Sequence, residues 1–396
     1  MNVKITPGKL CGKVNAVTSK SDAHRKIIAA ALSDIPTQIC MENFSDDINA
    51  TLNCINALGG DFKKNNNGVS ICPIKKTKPN VLDFGESGST ARFLIPVASA
   101  LYSENHYTGR GRLPERPFKE LIDVMNKNGV KAEGMGLPEK TEGLLTGGEF
   151  KIPGDISSQY ISGLLFAMPL LDKESKIILT SPLKSAAYVD MTLDTLKEFG
   201  ITVEVSDGEF SVKPQKYKSP KEVTAEGDWS NAAFWICADK LCGGIDIDGL
   251  SNKSHQADMA ITKLLDKTMI DAEQIPDLVP ILSILAAGRK GKTQIINAER
   301  LRIKESNRLY AMTRCINSLG GSAEETSDGM IIYGTGQLEG GTVDGFSDHR
   351  IVMSAAIASI ICRNTVEITG AEAVNKSYPG FFEDFKNLGG IVECTV

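Results

Sequence analysis

Basic side chains with hydroxyl neighbours lie where several helices are predicted to begin. Residues 18–33, 300–321 and 347–361 have apolar positions at helical spacing and carry cations in or near the first turn, and Ser347 or Asp348 is the expected N-cap of the last segment. The cations of this set are Lys20, Arg25, Lys304, Arg308, Arg350 and, just ahead of Pro379, Lys376. Because the helix dipole is positive at this end, cations there are unfavourable unless they share an anion with the free N–H groups. One such cation would be an ordinary surface charge, but the repetition predicts a cleft that binds phosphate or carboxylate.

Three further segments are candidates for the same cleft. A Gly/Ser-rich turn opens a predicted helix at 85–101, a second helix begins within 154–171, and a Gly/Pro loop covers 108–118. The side chains in question are Ser157, Ser158 and Gln159 in the second segment and Arg110, Arg112 and Arg116 in the third. Each segment also has a simpler interpretation, as a serine N-cap or as solvated charge, and spacing alone leaves both open.

Other common chemistries find no support in the sequence. GRKGKT at 288–293 ends like a phosphate-binding loop, but position 286, where the first Gly is required, is Ala. No G-x-G-x-x-G opens a helix after a strand, no G-x-S-x-G is present, and the four His lack metal-ligand spacing. We therefore expect neither a metal nor a cofactor.

Composition limits the class of protein and its partners. The 396 residues include 44 basic and 49 acidic side chains, for a net charge of −5, and 41% are hydrophobic. This is ordinary globular composition for two or three domains, and the acidic balance argues against nucleic-acid binding. Apolar stretches are shorter than the roughly 20 residues of a membrane-spanning helix, and no targeting segment is evident. Nine Cys without a C-x-x-C indicate reduced thiols, so we expect a cytoplasmic protein with no membrane partner.

A repeated pattern indicates how the chain positions these residues. An apolar helix end, a glycine and an alternating strand recur along the chain, which is the usual way a helix ends before a strand. The marks are Gly59, Gly129, Gly200, Met269, Gly320 and Gly389, with Met269 in a degenerate copy. The long period, which is nearly constant over the first four marks, predicts six supersecondary units in two α/β domains of three units each. The Lys/Pro-rich stretch 212–223 is the best candidate for an interdomain linker.

Ten motifs in order resemble the EPSP synthase family (3-phosphoshikimate 1-carboxyvinyltransferases) and cover nearly the whole chain. They are Ser19-Lys20-Ser21 with Arg25, GESGSTARF, GRGRLPERP, ISSQYISGLL, SAAYVDMTL, EGDWSNAAF, IPDLVPIL, RLRIKESNRL, DHRIVMS and NKSYPGFF. Any one of these motifs would be weak, but ten of them in the family's order are highly specific.

The resemblance implies an α/β fold of two domains, an inside-out α/β barrel with three βαββαβ-type repeats per domain. It implies an N-terminal, shikimate 3-phosphate-side domain at 13–221, and a phosphoenolpyruvate and catalytic domain made of 1–12 and 222–396, with the active site in the cleft between them. The implied reaction transfers the enolpyruvyl group of phosphoenolpyruvate to the 5-hydroxyl of shikimate 3-phosphate through a tetrahedral intermediate. The enzyme is expected to be a monomer that binds only these small molecules and belongs to aromatic amino acid biosynthesis.

The resemblance also implies roles for single residues. The shikimate 3-phosphate contacts are Lys20, Ser21, Arg25, Ser157, Ser158, Gln159, Ser185, Tyr188, Asp277 and Lys304. The phosphoenolpyruvate contacts are Lys20, Gly88, Arg112, Gln159, Arg308, Arg350 and Lys376. Asp277 would take the 5-hydroxyl proton and Glu305 would shuttle the proton at C3, with Lys304 and Lys20 completing the catalytic set.

Two positions depart from the family's pattern. Glu86 and Arg300 each stand where members often have Asn, and a carboxylate at Glu86 would repel phosphoenolpyruvate unless it points away or pairs with a cation. Gly88 leaves the pocket roomier than Ala would, and the resemblance implies inhibition by glyphosate.

Two alternatives stay open at this point. A UDP-N-acetylglucosamine enolpyruvyl transferase has a similar fold and chemistry but typically carries a reactive Cys in the loop that here reads GRGRLPERP. A non-catalytic phospholigand-binding relative would not need both Asp277 and Glu305.

Overall fold

The computed structural model describes residues 1–75 and 81–395, and the chain divides into two compact units. We call Lys20–Glu226 the inserted unit, and Met1–Ser19 with Gly227–Val396 the terminal unit. These divisions lie after residues 19 and 226, whereas the sequence placed them after 12 and 221. The difference has a physical reason on the N-terminal side, because the strand Gly12–Asn15 pairs in parallel with Ile245–Asp248 of the terminal unit.

The helices and strands are numbered along the whole chain. The strands are β1 (Asn2–Thr6), β2 (Gly12–Asn15), β3 (Thr37–Cys40), β4 (Asp61–Asn65), β5 (Gly68–Cys72), β6 (Leu82–Asp83), β7 (Glu104–Thr108), β8 (Lys140–Glu142), β9 (Glu149–Ile152), β10 (Ser175–Leu179), β11 (Glu204–Ser206), β12 (Glu209–Val212), β13 (Glu222–Thr224), β14 (Ile245–Asp248), β15 (Met269–Asp271), β16 (Lys290–Ile296), β17 (Ala323–Glu325), β18 (Met330–Thr335), β19 (Gly341–Asp344), β20 (Val366–Thr369) and β21 (Ile391–Thr395). The α-helices are α1 (Lys20–Leu32), α2 (Asp46–Ala57), α3 (Gly88–Leu101), α4 (Lys119–Asn126), α5 (Ser158–Ala167), α6 (Ala186–Glu198), α7 (Trp229–Cys242), α8 (Ile261–Leu264), α9 (Val279–Ala287), α10 (Arg308–Ser318), α11 (His349–Ala358) and α12 (Phe381–Asn387).

Four sheets of the described residues share one pairing pattern, in which a parallel pair is followed by two antiparallel pairs. In the inserted unit these sheets are β13-β3-β5-β4 and β9-β10-β12-β11, and in the terminal unit they are β15-β16-β18-β17 and β19-β20-β1-β21. The three-stranded sheet β6-β7-β8 repeats the first part of the pattern. The recurrence of one topology in both units agrees with the predicted duplication of a supersecondary unit.

The glycine marks of the sequence pattern end helices, as predicted. The five glycines of the set follow α2, α4, α6, α10 and α12, and their φ values lie between +77° and +94°, where glycine is favoured. Met269 of the degenerate copy instead begins β15 after α8, a helix of four residues. The unit that Met269 marks, the fourth along the chain, therefore has a shortened helix before its strand.

Four helices that carry or directly follow candidate residues are buried along most of their length. Every residue of α9 and α11 is buried, and α3 and α5 are buried at nearly all positions. A helix that is apolar on all sides must be enclosed by other elements, and each buried Leu or Ile contributes about 1.5–3 kcal/mol. Their first turns, which bear the polar residues, are thereby held on rigid elements.

The prediction that residues 212–223 form an interdomain linker is wrong. This stretch belongs to the inserted unit, where Tyr217 is 1% exposed and its hydroxyl donates to the carbonyl oxygen of Phe166 at 2.8 Å. Its Lys/Pro-rich composition reflects an exposed loop around one buried tyrosine. No helix of the described residues has the length and apolar character needed to cross a membrane.

Candidate active site

The start of α1 holds the first predicted cation in an ion pair. α1 begins at Lys20, so Lys20 and Ser21 lie in its first turn. Lys20 Nζ lies 2.7 Å from Asp47 Oδ2 on α2, and both side chains are mostly buried. Asp47 was not predicted from the sequence, where its only signal is that it falls at the beginning of a helix.

Arg25 is a buried cation whose hydrogen-bond partners are neutral. It is 2% exposed, and its Nε donates to Thr192 Oγ1 at 2.8 Å, while Nη1 and Nη2 donate to the carbonyl oxygens of Ser21 (2.6 Å) and Tyr188 (2.7 Å). No carboxylate of the described residues lies within ion-pair distance of this guanidinium group. Burial lowers the pKa of Arg25 to about 10, although Asp22 and Tyr188 act in the opposite direction. A buried charge of this kind is favourable only when an anion joins it.

The first turn of α5 joins the first turn of α3 through Gln159. Its Oε1 accepts a hydrogen bond from Arg92 Nη1, and its Nε2 donates to Ser89 Oγ, both at 2.8 Å. Arg92 is 4% exposed and lies over the rings of Phe118 and Tyr160. Arg92 and Ser89 were missed as site residues from the sequence, although an arginine near the start of the predicted helix in GESGSTARF was a usable signal.

Gly88, the first residue of α3, lies against two guanidinium groups. A Cβ added to Gly88 would be 2.7 Å from Arg116 Nη1 and 3.0 Å from Arg92 Nη1. The absence of a side chain therefore leaves room for two cations beside a helix N-terminus, which is a suitable environment for an anion. The predicted Arg112 lies in the neighbouring exposed loop. The carboxylate of Glu86 lies against Gly111 of this loop.

The predicted serines lie at helix starts without acting as side-chain caps. Ser157 and Ser185 occupy the N-cap positions of α5 and α6, yet neither side chain makes a capping hydrogen bond. Ser185 has φ +57° and ψ +47°, a left-handed conformation that typically costs a non-glycine residue about 1 kcal/mol. Ser158 is buried in the first turn of α5, and the carbonyl of Tyr188 ties α6 to Arg25. The simple N-cap interpretation of Ser157 is thus not what the structure shows.

In the terminal unit, Arg308 connects three carboxylates. This side chain is 2% exposed and opens α10. Its Nη1 lies 2.8 Å from Asp277 Oδ1, its Nη2 2.7 Å from Glu305 Oε2, and its Nε 2.8 Å from Asp348 Oδ2. These carboxylates raise the pKa of Arg308 despite its burial. Arg308 therefore holds the two predicted proton-transfer residues, Asp277 and Glu305, on one guanidinium group.

Asp348 is the buried anchor of this arrangement and was predicted only as a helix cap. It is fully buried, accepts hydrogen bonds from Ser306 Oγ (3.0 Å) and the backbone N–H of Arg350 (3.0 Å), and begins α11 as its N-cap. Burial raises the pKa of Asp348, but Arg308 and His349 outweigh it and hold the pKa below its usual value. Asp348 is therefore a fixed anion that orients Arg308.

Arg350 approaches Asp277 from a different helix. Its Nη1 donates to the carbonyl oxygen of Asp277 at 2.9 Å, and its Nη2 lies 3.4 Å from Asp277 Oδ2 and 2.7 Å from Ser230 Oγ. Burial alone would raise the pKa of Asp277, but Arg350, Lys304 and Arg308 hold it well below its usual range. Asp277 is consequently ionised at neutral pH and is oriented through both its side chain and its backbone.

Lys304 has a pKa well below that of an ordinary lysine. Its Nζ lies 3.7 Å from Asp277 Oδ1, and burial lowers its pKa to about 8, with Asp277 acting in the opposite direction and Arg308 in the same one. The guanidinium group of Arg300 also lowers the pKa of Lys304. Arg300 therefore adds positive potential beside Lys304, at the position where the family often has Asn.

Lys376 is fixed near the start of α11. Its Nζ donates to the carbonyl oxygen of Ser347 at 2.7 Å, and the preceding turn holds Phe346 and Ser347 at φ +50° and +52°. Two successive non-glycine residues in this region indicate local strain of the kind found at functional sites.

The described structure brings many of the predicted residues together within each unit. In the inserted unit, Arg25 contacts Ser21 and Tyr188, Gln159 contacts Arg92 beside Gly88, and Lys20 pairs with Asp47; we call these groups the first cluster. In the terminal unit, Asp277, Lys304, Glu305, Arg308 and Arg350 form one linked set, the second cluster. In chemical terms, the first cluster offers cations, hydroxyls and helix N-termini for anions. The second offers carboxylates and a low-pKa lysine for proton transfer.

Comparison with known proteins gives a consistent relationship. The family model for EPSP synthase (3-phosphoshikimate 1-carboxyvinyltransferase) matches residues 5–269 and 264–385. A 3-phosphoshikimate 1-carboxyvinyltransferase from Clostridium perfringens is 42% identical over 421 residues, covering 99% of each chain. Another, from Clostridium beijerinckii, is 40% identical over 428 residues, covering 99% of this chain and 98% of the relative.

Solved structures support the fold. An EPSP synthase from Acinetobacter baumannii has a TM-score of 0.83 at 24% identity, covering 99% of this chain and 100% of that one. The enolpyruvyl transferase NikO from Streptomyces tendae has a TM-score of 0.82 at 17% identity, covering 100% of this chain and 98% of that one. The predicted two-domain enolpyruvyl transferase fold is confirmed. Because the family model and both clostridial relatives span nearly the whole chain, the chain belongs to the EPSP synthase family.

Proposed function

We propose that the two clusters described above perform the reaction of this family. The chain transfers the enolpyruvyl group of phosphoenolpyruvate to the 5-hydroxyl of shikimate 3-phosphate, releasing inorganic phosphate. The hydroxyl oxygen adds to C2 of phosphoenolpyruvate while C3 gains a proton, and loss of that proton and of phosphate leaves the enolpyruvyl ether. The enzyme belongs to the shikimate pathway and hence to aromatic amino acid biosynthesis.

The observation that carries the proposal is the buried charge of Arg25. This guanidinium group has only neutral hydrogen-bond partners and a pKa lowered to about 10 by burial, so an anion is the missing partner. Shikimate 3-phosphate supplies a phosphate and a carboxylate. We assign its binding to Arg25 together with Lys20, Ser21, Ser157, Ser158, Gln159, Ser185 and Tyr188, with Asp277 and Lys304 completing the set.

Phosphoenolpyruvate needs a second group of cations. We assign it to Lys20, Gly88, Arg112, Gln159, Arg308, Arg350 and Lys376. The support is that Gly88 leaves space beside Arg116 and Arg92, and that arginines bind planar carboxylates and tetrahedral phosphates through two parallel hydrogen bonds. Arg308 also has a positioning role, because its guanidinium group already binds Asp277 and Glu305.

Three of the four residues that we assign to catalysis lie in the terminal unit, and the fourth, Lys20, lies in the inserted unit. Asp277 is ionised and accepts the proton of the 5-hydroxyl, and Glu305 exchanges the proton at C3 of phosphoenolpyruvate. Lys304, with a pKa of about 8, is protonated at neutral pH yet releases its proton readily, which is the property of an effective general acid. The reaction therefore draws on residues of both units.

The test is phosphate release from phosphoenolpyruvate in the presence and absence of shikimate 3-phosphate. Release that requires shikimate 3-phosphate is the expected result, and a chelator in the buffer should not change it. UDP-N-acetylglucosamine serves as the competing acceptor substrate. Release only with the nucleotide sugar would assign the chain to that related activity. Binding of the substrates without any release would contradict the catalytic proposal.

We further propose that the enzyme is a cytoplasmic monomer whose inserted unit forms the shikimate 3-phosphate side and whose terminal unit forms the phosphoenolpyruvate side. Sedimentation equilibrium of the purified chain tests the monomer, with a concentration-dependent mass as the contrary result. Substitutions of residues assigned to one substrate alone test this division: changes at Arg25 or Ser185 of the inserted unit should weaken shikimate 3-phosphate more, and changes at Arg350 or Lys376 of the terminal unit should weaken phosphoenolpyruvate more.

A further inference from the structure

A chain of buried hydroxyls connects α1, α2 and α3 of the inserted unit. His24 Nδ1 lies 2.7 Å from Thr51 Oγ1, Thr51 Oγ1 lies 2.7 Å from Thr90 Oγ1, and Thr90 Oγ1 donates to Ser87 Oγ at 2.7 Å. All four side chains are at most 1% exposed. The chain runs from a histidine that the mechanism does not use to the residue that precedes Gly88.

The hydrogen bonds of this chain have one direction. Ser87 Oγ accepts from the backbone N–H of Thr90 as the N-cap of α3, and it also accepts the hydroxyl proton of Thr90. Each threonine has one hydroxyl proton, so Thr90 must accept from Thr51, and Thr51 must accept from Nδ1–H of His24. The alternative acceptor, the carbonyl oxygen of Asp47, lies 3.4–3.5 Å from both threonines, at the limit of a hydrogen bond.

The other ring nitrogen of His24 agrees with this direction. Nε2 is buried and has no hydrogen-bond partner among the described residues. A buried N–H without an acceptor is more unfavourable and rarer than an acceptor without a donor, so Nε2 carries the lone pair. Burial, together with the charges of Lys20 and Arg25, lowers the pKa of His24 well below its usual value, so the ring is neutral.

Both ends of the chain lie next to residues assigned to substrate. His24 is adjacent to Arg25 and one turn from Lys20, whose Nζ is paired with Asp47 on α2. At the other end, Ser87 caps the helix that begins with Gly88 and carries Ser89, the partner of Gln159. The hydroxyl chain therefore fixes the turn before Gly88 relative to the cations of α1.

We propose that His24 is a positioning residue, whose Nδ1–H orders the Thr51–Thr90–Ser87 hydroxyls and thereby holds the Gly88 turn in register for phosphoenolpyruvate. The inference rests on the proposed function only for the identity of the ligand that the turn binds. His24 itself touches neither substrate.

The test compares two amide substitutions that differ in the position of the donor. The Nδ2 of asparagine occupies the place of His Nδ1, whereas the Nε2 of glutamine reaches the place of His Nε2. We expect His24→Asn to keep the KM for phosphoenolpyruvate within about threefold, and His24→Gln and His24→Leu to raise it about tenfold, as expected for a lost buried hydrogen bond. The KM for shikimate 3-phosphate should change less than that for phosphoenolpyruvate.

A matched control removes a buried hydrogen bond elsewhere in the same unit. The Tyr107 hydroxyl lies 2.8 Å from Thr141 Oγ1 in a separate buried polar group, so Tyr107→Phe should lower stability without changing either KM. Equal KM changes for His24→Asn and His24→Gln, or a KM change in Tyr107→Phe as large as that in His24→Gln, would overturn the positioning role.

An independent readout does not depend on activity. Nitrogen-15 NMR of the full chain labelled at its four histidines should show one imidazole with Nδ1 protonated and Nε2 unprotonated, and this signal should vanish in His24→Asn. The inference would be overturned if the imidazole whose signal vanishes in His24→Asn were instead an Nε2–H tautomer or a charged ring at neutral pH. If wild-type protein released no phosphate but showed the Nδ1–H signal, the proposed function would fail, while the proposed direction of the hydrogen bonds from His24 to Ser87 would stand.

Discussion

Replacement of Arg25 by methionine should separate binding from stability. A pKa that falls from 12.5 to about 10 corresponds to a penalty of about 3 kcal/mol on the buried charge, at about 1.4 kcal/mol for each tenfold change in proton affinity. The substitution removes this penalty and also removes three hydrogen bonds, each worth about 1 kcal/mol. The hydroxyl of Thr192 keeps its contacts with Ser162 and Tyr188. The two effects nearly cancel.

The substrate-free variant should therefore melt within a few degrees of wild type, about 2–4 °C per kcal/mol for a unit of this size. Binding of shikimate 3-phosphate should weaken about thirtyfold or more, because loss of one partner of a buried charge pair costs about 2–5 kcal/mol. Isothermal titration with shikimate 3-phosphate measures the affinity, and differential scanning calorimetry without ligand measures the stability.

Arg289→Met provides the matched control for this experiment. The Arg289 guanidinium group donates to the carbonyl oxygens of Leu265 and Lys267 and to Thr293 Oγ1, which are also neutral partners, and burial likewise lowers its pKa. It lies in the terminal unit outside the assigned site, so shikimate 3-phosphate binding should stay unchanged. Arg25→Met binding shikimate 3-phosphate within about threefold of wild type would refute the reasoning, because no charge-assisted contact is worth so little when buried.

Three further predictions address the other parts of the site. Gly88→Ala should raise the KM for phosphoenolpyruvate and weaken inhibition by glyphosate, because the added methyl group would lie 2.7 Å from Arg116 Nη1; steady-state inhibition kinetics test this, and unchanged values would contradict it. Wild-type kcat/KM should fall above about pH 8, where the lowered pKa of Lys304 lets it lose its proton, and Lys304→Arg should move that fall to higher pH; a pH profile shared by both proteins would exclude Lys304 as the titrating acid. Asp277→Asn should lower kcat by about 10²- to 10⁴-fold while shikimate 3-phosphate still binds, and equal losses in phosphate release and binding would remove Asp277 from the proton-transfer step.

The repeated pattern of helix, glycine and strand shows which features of the fold can be predicted from short-range sequence. The helix ends at Gly59, Gly129, Gly200, Gly320 and Gly389 could be predicted from the sequence. A positive φ directly after a helix favours glycine at that single position, so the signal is local. Cations at helix starts were also readable, since an unfavourable local charge needs an external reason. The linker at 212–223 was misplaced because composition reports exposure, and only the contact of Tyr217 with Phe166 ties that stretch to the inserted unit.

The hidden parts of the site involve residues whose partners are distant in the chain. Asp348 meets Arg308 across 40 residues, Arg92 meets Gln159 across 67, and Arg25 meets Thr192 across 167. No spacing rule connects such pairs, so Asp348 was predicted only as a cap and Arg92 not at all. Spacing also does not reveal the place of β1. This strand lies at the beginning of the chain but pairs between β20 and β21, which lie near its end.

The sequence by itself determined the unit of construction, the residue types at each helix start and the family to which they belong. Helix periodicity, glycine conformations and charge placement are short-range properties, fixed within a few residues by sterics and the helix dipole. Only the tertiary structure decided which charges are neutralised and which are not. Asp277, Glu305 and Asp348 all converge on Arg308, while Arg25 is buried among neutral oxygens. Burial and the distance to opposite charges set these energies, and both arise only when remote segments fold together.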